Sequence, residues 1–571
     1  MWRYPFINYA AIWTRAPSTR LDGLAARRVS DHVSLVFDGS DPSDSLIREG
    51  ICFSLDQKSK IGRGTFSQLS VGPTSVEIVP DFLGTRVFYR FETDNIQIVG
   101  TSIGLIVDVL IRLGVRLTVD REALLTTFLL GNLQLAQTPL VGLKLAPMGG
   151  WFRASNRGIE ALKLRVRGRG LVSDQTLKAR AIEEMRSNFA FAIEQAGVVP
   201  IFLELTGGLD SRICLALALN LGMRDQLVLL TRGRHEHPDR LCAERMALAY
   251  DLRFGFQPFR PQQISAGEAF DKAKPFAGVR LLDDDTFRML APDPRRYAVI
   301  TGGMGEAFRS YYAEVFRYKT HKPKAFFDAP VSAKTAEEVF RLFGHRSSLV
   351  KDPKATLDRF ASQLCHRRAN VGQALFEQYM GFRNRIHYGG AAAVRNAVFK
   401  SFDPLYTISG YHLAQRKDAE WQLYGELSFE IIDELFPALN TFPLAEKAIA
   451  PKFAAAAKEH QFYSARGFSE PGIQGYLQRA TLESEHVVCP LSDSPHDIFR
   501  DIVVAAIEGG LERDLFLMDR VREILENGDR EHVRILVKAM ISPIMFLILV
   551  NGAQDLLSAV DVQSREPAPY V

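Results

Sequence analysis

Long apolar runs are missing from this 571-residue chain. The most apolar stretch, Ile541–Val550, falls short of the ~20 residues that a bilayer-spanning helix needs, and Pro543 interrupts it. It reads as a buried C-terminal helix, and no membrane partner is expected. Cysteine is scarce too: Cys52, Cys214, Cys242, Cys365 and Cys489 are scattered. No two of them have metal-ligand spacing, which argues against a zinc site and a disulfide framework. One-sided charge is absent, since 70 basic against 66 acidic residues leave only +4. That is too little over this length to predict a nucleic-acid binder. The opening Met1-Trp2-Arg3-Tyr4-Pro5 leads into mixed sequence rather than an apolar core. No secretory signal is expected, and the cytoplasm is the expected compartment.

What is present suits a globular protein. With 47% hydrophobic and 24% charged residues, the chain has material for two or three domains. Residues 1–168 carry short runs broken by Gly, Pro and Asp, among them Val33–Phe37, Gln68–Val71, Ser75–Val79, Arg86–Arg90 and Ile96–Val99. These are strand signals, and helical patterns interrupt them near Ile103–Leu113 and Arg121–Leu130. An α+β domain with one or two packed sheets is predicted. The basic stretch Leu164–Leu171 reads as a solvated linker.

Residues 169–571 have a different character. Ser173 and Asp174 are placed to cap a helix whose Ile182, Met185, Phe189 and Ile193 keep helical spacing. Strand runs Ile201–Leu205, Leu227–Leu230, Arg253–Phe256 and Ala298–Ile300 follow, with helical runs Ser211–Leu221 and Asp239–Tyr250 among them. This alternation predicts an α/β fold with a parallel sheet covered on both faces. Ligands of such sheets sit beyond the carboxyl ends of the strands. Beyond residue 320 the chain reads as mostly helical, and Ser564–Val571 as a loose tail.

The most informative segment is Ile201-Phe-Leu-Glu-Leu-Thr-Gly-Gly-Leu-Asp-Ser-Arg212. An apolar strand meets a Gly-Gly turn, and a carboxylate and a hydroxyl open the next helix. Gly207 and Gly208 let a ligand approach the backbone closely. The free N–H groups at the following helix start favour an anion such as pyrophosphate, and the amides of the Thr206–Ser211 loop, Leu209 included, would help neutralise it. Thr206 and Ser211 add hydroxyls, and Asp210 suits a Mg²⁺ bridging those phosphates. No Gly-Lys-Ser/Thr follows, so this is not the Walker pattern. The plainer alternative is a strand-to-helix turn with no ligand.

This segment resembles the S/T-G-G-x-D-S loop of the ATP pyrophosphatases, in the wording of the asparagine-synthetase branch. Four other segments extend the resemblance. Leu229–Asp239 is similar to the family's second glycine-containing loop, where Leu230 and Thr231 would meet adenine. Val299–Tyr311, with Gly302 and Gly303, falls where asparagine synthetases carry S-G-x-G-x-D-E. Pro80–Tyr89 is similar to the D-x-x-G-x-x-P-L-Y-Y hairpin of their glutaminase domains, and Leu145–Gly150 to a loop near that domain's end. Order and spacing agree over residues 75–460. The resemblance implies an α+β Ntn-hydrolase-like (glutaminase-like) domain over 1–168. It implies an ATP-pyrophosphatase (adenine nucleotide alpha hydrolase-like) synthase domain over 169–571, with ATP and Mg²⁺ as cofactors.

Two departures qualify it. A working glutaminase of this family begins with Cys, whereas here Met1 precedes Trp2 and the first cysteine is the internal Cys52. The resemblance therefore implies a silent glutaminase-like domain, as in the β-lactam synthetases and lasso-peptide cyclases. The second loop is shortened to Thr301-Gly-Gly-Met-Gly-Glu306. Gly305 stands at the second metal-binding Asp, and Gly303 at the position that carries a catalytic side chain in relatives. Glu306 has two open readings: it reaches the metal, or it pairs with Arg309.

The implied activity is adenylation of a small-molecule or peptide carboxylate, followed by transfer to an amine or ammonia. A cation near the adenylate is expected from Arg309, Arg383, Arg385, Lys447 or Lys452. Lys447 lies in a late Pro-x-x-x-K element. Against these roles stand a plain surface lysine and ordinary ion pairs. His235 and His237 read as solvent-exposed, and Asp283–Asp285 as a helix-capping turn. Two alternatives are a macrolactam cyclase of the lasso-peptide kind, which needs a partner protein, and a non-catalytic nucleotide-binding protein.

Overall fold

The structure is a computed structural model. It describes residues 8–551 apart from 16–20, 39–43, 164–171, 232–236, 257–273, 275–297, 313–322, 344–348, 366–369, 446–493, 509–515, 529–532 and scattered shorter gaps. The predicted boundary at 168/169, the basic linker, Lys447, Lys452, His235, Asp283–Asp285 and the C-terminal tail lie outside the described residues.

Up to residue 163 the strands are β1 (Tyr9–Thr14), β2 (Ala25–Arg28), β3 (Val33–Phe37), β4 (Leu46–Asp56), β5 (Ile61–Val71), β6 (Ser75–Pro80), β7 (Tyr89–Glu92), β8 (Ile96–Gly100), β9 (Leu143–Leu145), β10 (Gly150–Ser155) and β11 (Gly158–Lys163). They form two antiparallel sheets, ordered β2-β3-β1-β8-β7-β9 and β11-β10-β6-β5-β4. Successive side chains of a strand point to opposite faces. In β1, Tyr9 and Ala11 accordingly join one apolar core with Leu35, Ile78 and Phe152. Ala10 and Ile12 join the other with Ile106 and Leu110, which lie on helix α1 (Ile103–Arg112). Helix α2 (Arg121–Leu130) starts where Asp120 Oδ1 accepts from Ala123 N–H at 2.9 Å.

The predicted strand Arg86–Arg90 is realised only from Tyr89. The Asp81 carboxylate accepts from the N–H groups of Thr85 (2.9 Å) and Arg86 (2.7 Å). That turn holds the preceding residues out of the sheet.

Further on, helix α3 (Asp174–Ala196) is capped by Ser173, whose Oγ accepts from Thr176 N–H at 3.2 Å. The parallel sheet comprises β12 (Ile201–Glu204), β13 (Leu227–Thr231), β14 (Arg253–Phe256), β15 (Ala298–Ile300) and β16 (Lys400–Phe402), in the order β14-β13-β12-β15-β16. Helices α4 (Leu209–Asn220) and α5 (Pro238–Ala249) follow β12 and β13. The chain builds outward from β12 on one side and then returns to build β15 and β16 on the other. The order thus reverses between β12 and β15, where the carboxyl ends of such strands form a crevice. Among the described residues past 320 the chain is mainly helical as expected, and β16 is the one named strand there.

The sandwich and the parallel sheet share a seam. Tyr406 Oη donates to Asp81 Oδ1 and accepts from Leu83 N–H, each at 2.7 Å. Arg385 Nε donates to the Gly84 carbonyl at 2.8 Å. Phe546–Val550 are helical and buried, and no helix among the described residues is long and apolar enough to cross a membrane.

Candidate functional site

Two turns face each other at the strand-order reversal: Thr206–Ser211 after β12 and Thr301–Glu306 after β15. The first is braced by its own side chains. Thr206 N–H donates to Ser211 Oγ at 3.1 Å, and Gly208 N–H donates to Thr206 Oγ1 at 3.1 Å. Gly207 N–H reaches Asp239 Oδ1 at 2.9 Å. These two glycine amides are therefore engaged within the protein. The anion-directing part of the turn begins with Leu209, because Gly208 caps α4 without any side-chain bond.

The second turn lies directly against the first. A methyl group on Gly302 would sit 2.6 Å from Ser211 N, and one on Gly305 would sit 2.6 Å from Asp210 Oδ1. Gly302 lies against the backbone of the first turn and Gly305 against the Asp210 side chain, so neither position has room for a Cβ. Between them Met304 holds a left-handed conformation, φ 71°, which is uncommon for a residue other than glycine. Thr301 Oγ1 donates to Asp403, anchoring the turn to the segment after β16.

Charge concentrates at this contact. Arg309, 3% exposed, places Nη2 at 2.8 Å from Asp210 Oδ2 and 3.8 Å from Glu306 Oε1. Tyr388 Oη donates to Glu306 Oε1. Burial, and then the charge of Asp210, push the Glu306 carboxyl up to about 7. The second oxygens of both acids, Asp210 Oδ1 and Glu306 Oε2, are buried without a hydrogen-bond partner. So is Thr231 Oγ1 at the carboxyl end of β13, in a residue 3% exposed. Native proteins seldom bury such atoms unpaired, and here three gather at the ends of neighbouring strands or in the turns that follow them.

The π-helical stretches Tyr379–Arg383 and Arg385–Gly389 supply the far wall. This rare geometry recurs at functional sites. It brings Tyr388 to Glu306 and lays the Arg383 guanidinium 4.8 Å from the Tyr311 ring centroid. Arg385 is drawn away to the seam with Gly84.

The structure thus brings together Thr206, Gly207, Gly208, Leu209, Asp210, Ser211, Gly302, Gly303, Glu306 and Arg309. Leu230 is buried in β13, where its carbonyl accepts from Leu205 N–H at 2.8 Å. His237 caps α5, with Nδ1 accepting from Asp239 N–H at 3.3 Å. Glu306 approaches Arg309, as one of its two readings required. Sequence reasoning missed Tyr388, Asp403 and the conformation of Met304, none of which belongs to a local pattern, and it placed Asp239 in the second glycine-containing loop without its bond to Gly207.

The expected Mg²⁺ site does not fit these side chains. Residue 305 offers no carboxylate and has no room for one, and Arg309 already holds Asp210. Among the described residues no group of three or more His, Cys, Asp or Glu is arranged to hold an ion. In comparisons with known proteins, no family model matches the chain and no curated sequence matches it.

Proposed function

We propose that the chain is an ATP-dependent carbon–nitrogen ligase of the asparagine-synthetase-like kind, with an ATP-pyrophosphatase fold in its parallel-sheet region. The observation that carries this reading is the pair of facing turns at the β12/β15 reversal, with unpartnered polar atoms in and beside them. A carboxylate oxygen attacks the α-phosphorus of ATP, the bond to the β-phosphate oxygen breaks, and pyrophosphate leaves with that electron pair. An amine or ammonia then attacks the acyl carbon, loses a proton and expels AMP.

Catalysis of this kind is largely charge placement and positioning. The Leu209–Ser211 amides and the Arg309 guanidinium would meet the departing phosphates, and Thr231 the adenosine end. Glu306, hydrogen-bonded by Tyr388, is the acidic group nearest to receive the amine proton. Magnesium accompanies ATP in solution, but no step here is routed through a protein-bound ion.

The sandwich supplies no ammonia in this reading. Cys52 is buried and its thiol is pushed up to about 12, chiefly by that burial, so it is a poor nucleophile. The nitrogen therefore arrives as free ammonia or as an amine of the substrate.

Pyrophosphate and AMP release from ATP, measured over a panel of carboxylates with amines, tests the proposal. Release dependent on a carboxylate and abolished by Asp210→Asn is expected. ATP binding without turnover by any member would favour a non-catalytic nucleotide-binding protein. The capture of Asp210 by Arg309 is the feature on that side.

A further inference from the structure

We propose that Arg309 is the resident cation of this site. Its guanidinium stands where the resemblance puts a divalent metal ion, and the phosphate chain is bound without protein-held metal. The inference takes its ligand from the nucleotide reading, while the exclusion of metal from Asp210 stands on the side chains alone.

Three observations converge on it. First, Arg309 lies between both acids of the site, at 2.8 Å from Asp210 Oδ2 and 3.8 Å from Glu306 Oε1. It engages the carboxylate that the sequence pattern assigns to the metal. Second, at 3% exposure that guanidinium acts in a medium of low dielectric, where a dication beside it meets strong repulsion. Third, the turn's own acid, Glu306, is already hydrogen-bonded by Tyr388 and faced by Arg309, and its neighbour supplies no other. Position 305 is glycine, and a Cβ there would run into Asp210.

The substitution is chemically apt. A guanidinium keeps its charge at every working pH and offers five N–H donors in a planar fork. It can therefore hold a carboxylate and still face phosphate oxygens, and Arg–phosphate pairs are among the strong charge-assisted contacts. The engaged acids explain why the arginine stays folded into the turn rather than extending into solvent. They also leave Asp210 Oδ1 and Glu306 Oε2 as acceptors for donors on an incoming ligand.

Two probes separate the possibilities, with the full-length protein in each case. Manganese alone, followed by electron paramagnetic resonance, reads metal at Asp210. ATP, followed by calorimetry in EDTA and again in Mg²⁺, reads nucleotide. The wild type is expected to hold no Mn²⁺ that Asp210→Asn removes, and its ATP affinity should differ less than ~3-fold between the two buffers. Arg309→Gln should weaken ATP binding in EDTA by ~10-fold or more and should gain a Mn²⁺ site that the added Asp210→Asn abolishes. Arg309→Lys, which keeps the charge and serves if Arg309→Gln unfolds, should remain indifferent to EDTA.

The proposal is overturned by a stoichiometric Mn²⁺ in the wild type that Asp210→Asn removes, or by wild-type ATP binding that disappears in EDTA. In either of those cases the nucleotide reading survives. If ATP binds in neither buffer, the nucleotide reading and the phosphate role of Arg309 both go, and the Mn²⁺ arm alone decides whether the arginine keeps metal from Asp210.

Discussion

Two guanidinium–carboxylate pairs among the described residues, each with a buried arginine, are built differently. In the sandwich, Arg86 Nε meets Glu49 Oε1 at 2.6 Å with both side chains 1% exposed. Glu49 also accepts from Ser67, whose Oγ lies 2.8 Å from Tyr9 Oη, and Arg86 Nη2 reaches Asn8 Oδ1 at 3.4 Å. The circle of partners closes. At the turns of the parallel sheet, Arg309 and Asp210 meet at 2.8 Å, yet Asp210 Oδ1 and the neighbouring Glu306 Oε2 end in nothing. A closed polar network rigidifies a core, whereas a buried open one carries a cost that a ligand can relieve. By that criterion the first pair is architecture and the second belongs to the candidate site.

The largest effect that would sharpen this contrast is expected from Arg86→Met. It strands Glu49 in the core and should cost about 3–5 kcal/mol in urea unfolding. Adding Glu49→Leu should recover most of that loss, and ATP affinity in the folded protein should not change. Asp210→Asn is expected to act the other way round. Calorimetry should show ATP affinity down ~10–100-fold, with less stability lost than in Arg86→Met. Equal stability losses and unchanged binding in both variants would erase the distinction.

A smaller effect concerns pH. Glu306 titrates at about 7 in the folded protein, against 4.5 as an ordinary carboxyl. The folded state thus holds this proton more tightly than the unfolded chain does. The resulting stabilisation is fully present below 4.5 and is lost as pH rises through about 7. The stability difference between wild type and Glu306→Gln, followed by urea midpoints across that interval, should drift against the wild type. A flat difference would show that Glu306 is an ordinary surface-like acid. The smallest effect belongs to Thr231→Val. Removing an unpaired buried hydroxyl should change stability by no more than ~1 kcal/mol. ATP affinity should fall about threefold, the loss of one weak hydrogen bond.

The legible parts of the fold share a property. Val33–Phe37, Arg121–Leu130, Arg253–Phe256 and Ala298–Ile300 have the boundaries expected from alternation, periodicity and caps. The Thr206–Ser211 turn was equally visible, since strand, glycines and helix start are contiguous. Short strands without contrast were not. Lys400–Phe402 is three residues in a helical region and becomes β16 only by pairing with β15. Tyr388 is 82 positions from Glu306 and Asp403 is 102 from Thr301, beyond the reach of any periodicity.

Periodicity, capping side chains and glycine placement act within a few residues, so reading the chain was enough to establish alternating strands and helices and a glycine turn opening α4. Which acid meets which arginine depends on groups far apart along the chain that share one low-dielectric pocket. Folding alone set Arg309 against Asp210, pressed Gly305 onto that carboxylate and sent Arg385 to the seam instead of the site. Coulombic pairing and close packing depend on distance through space, and distance along the chain does not report it.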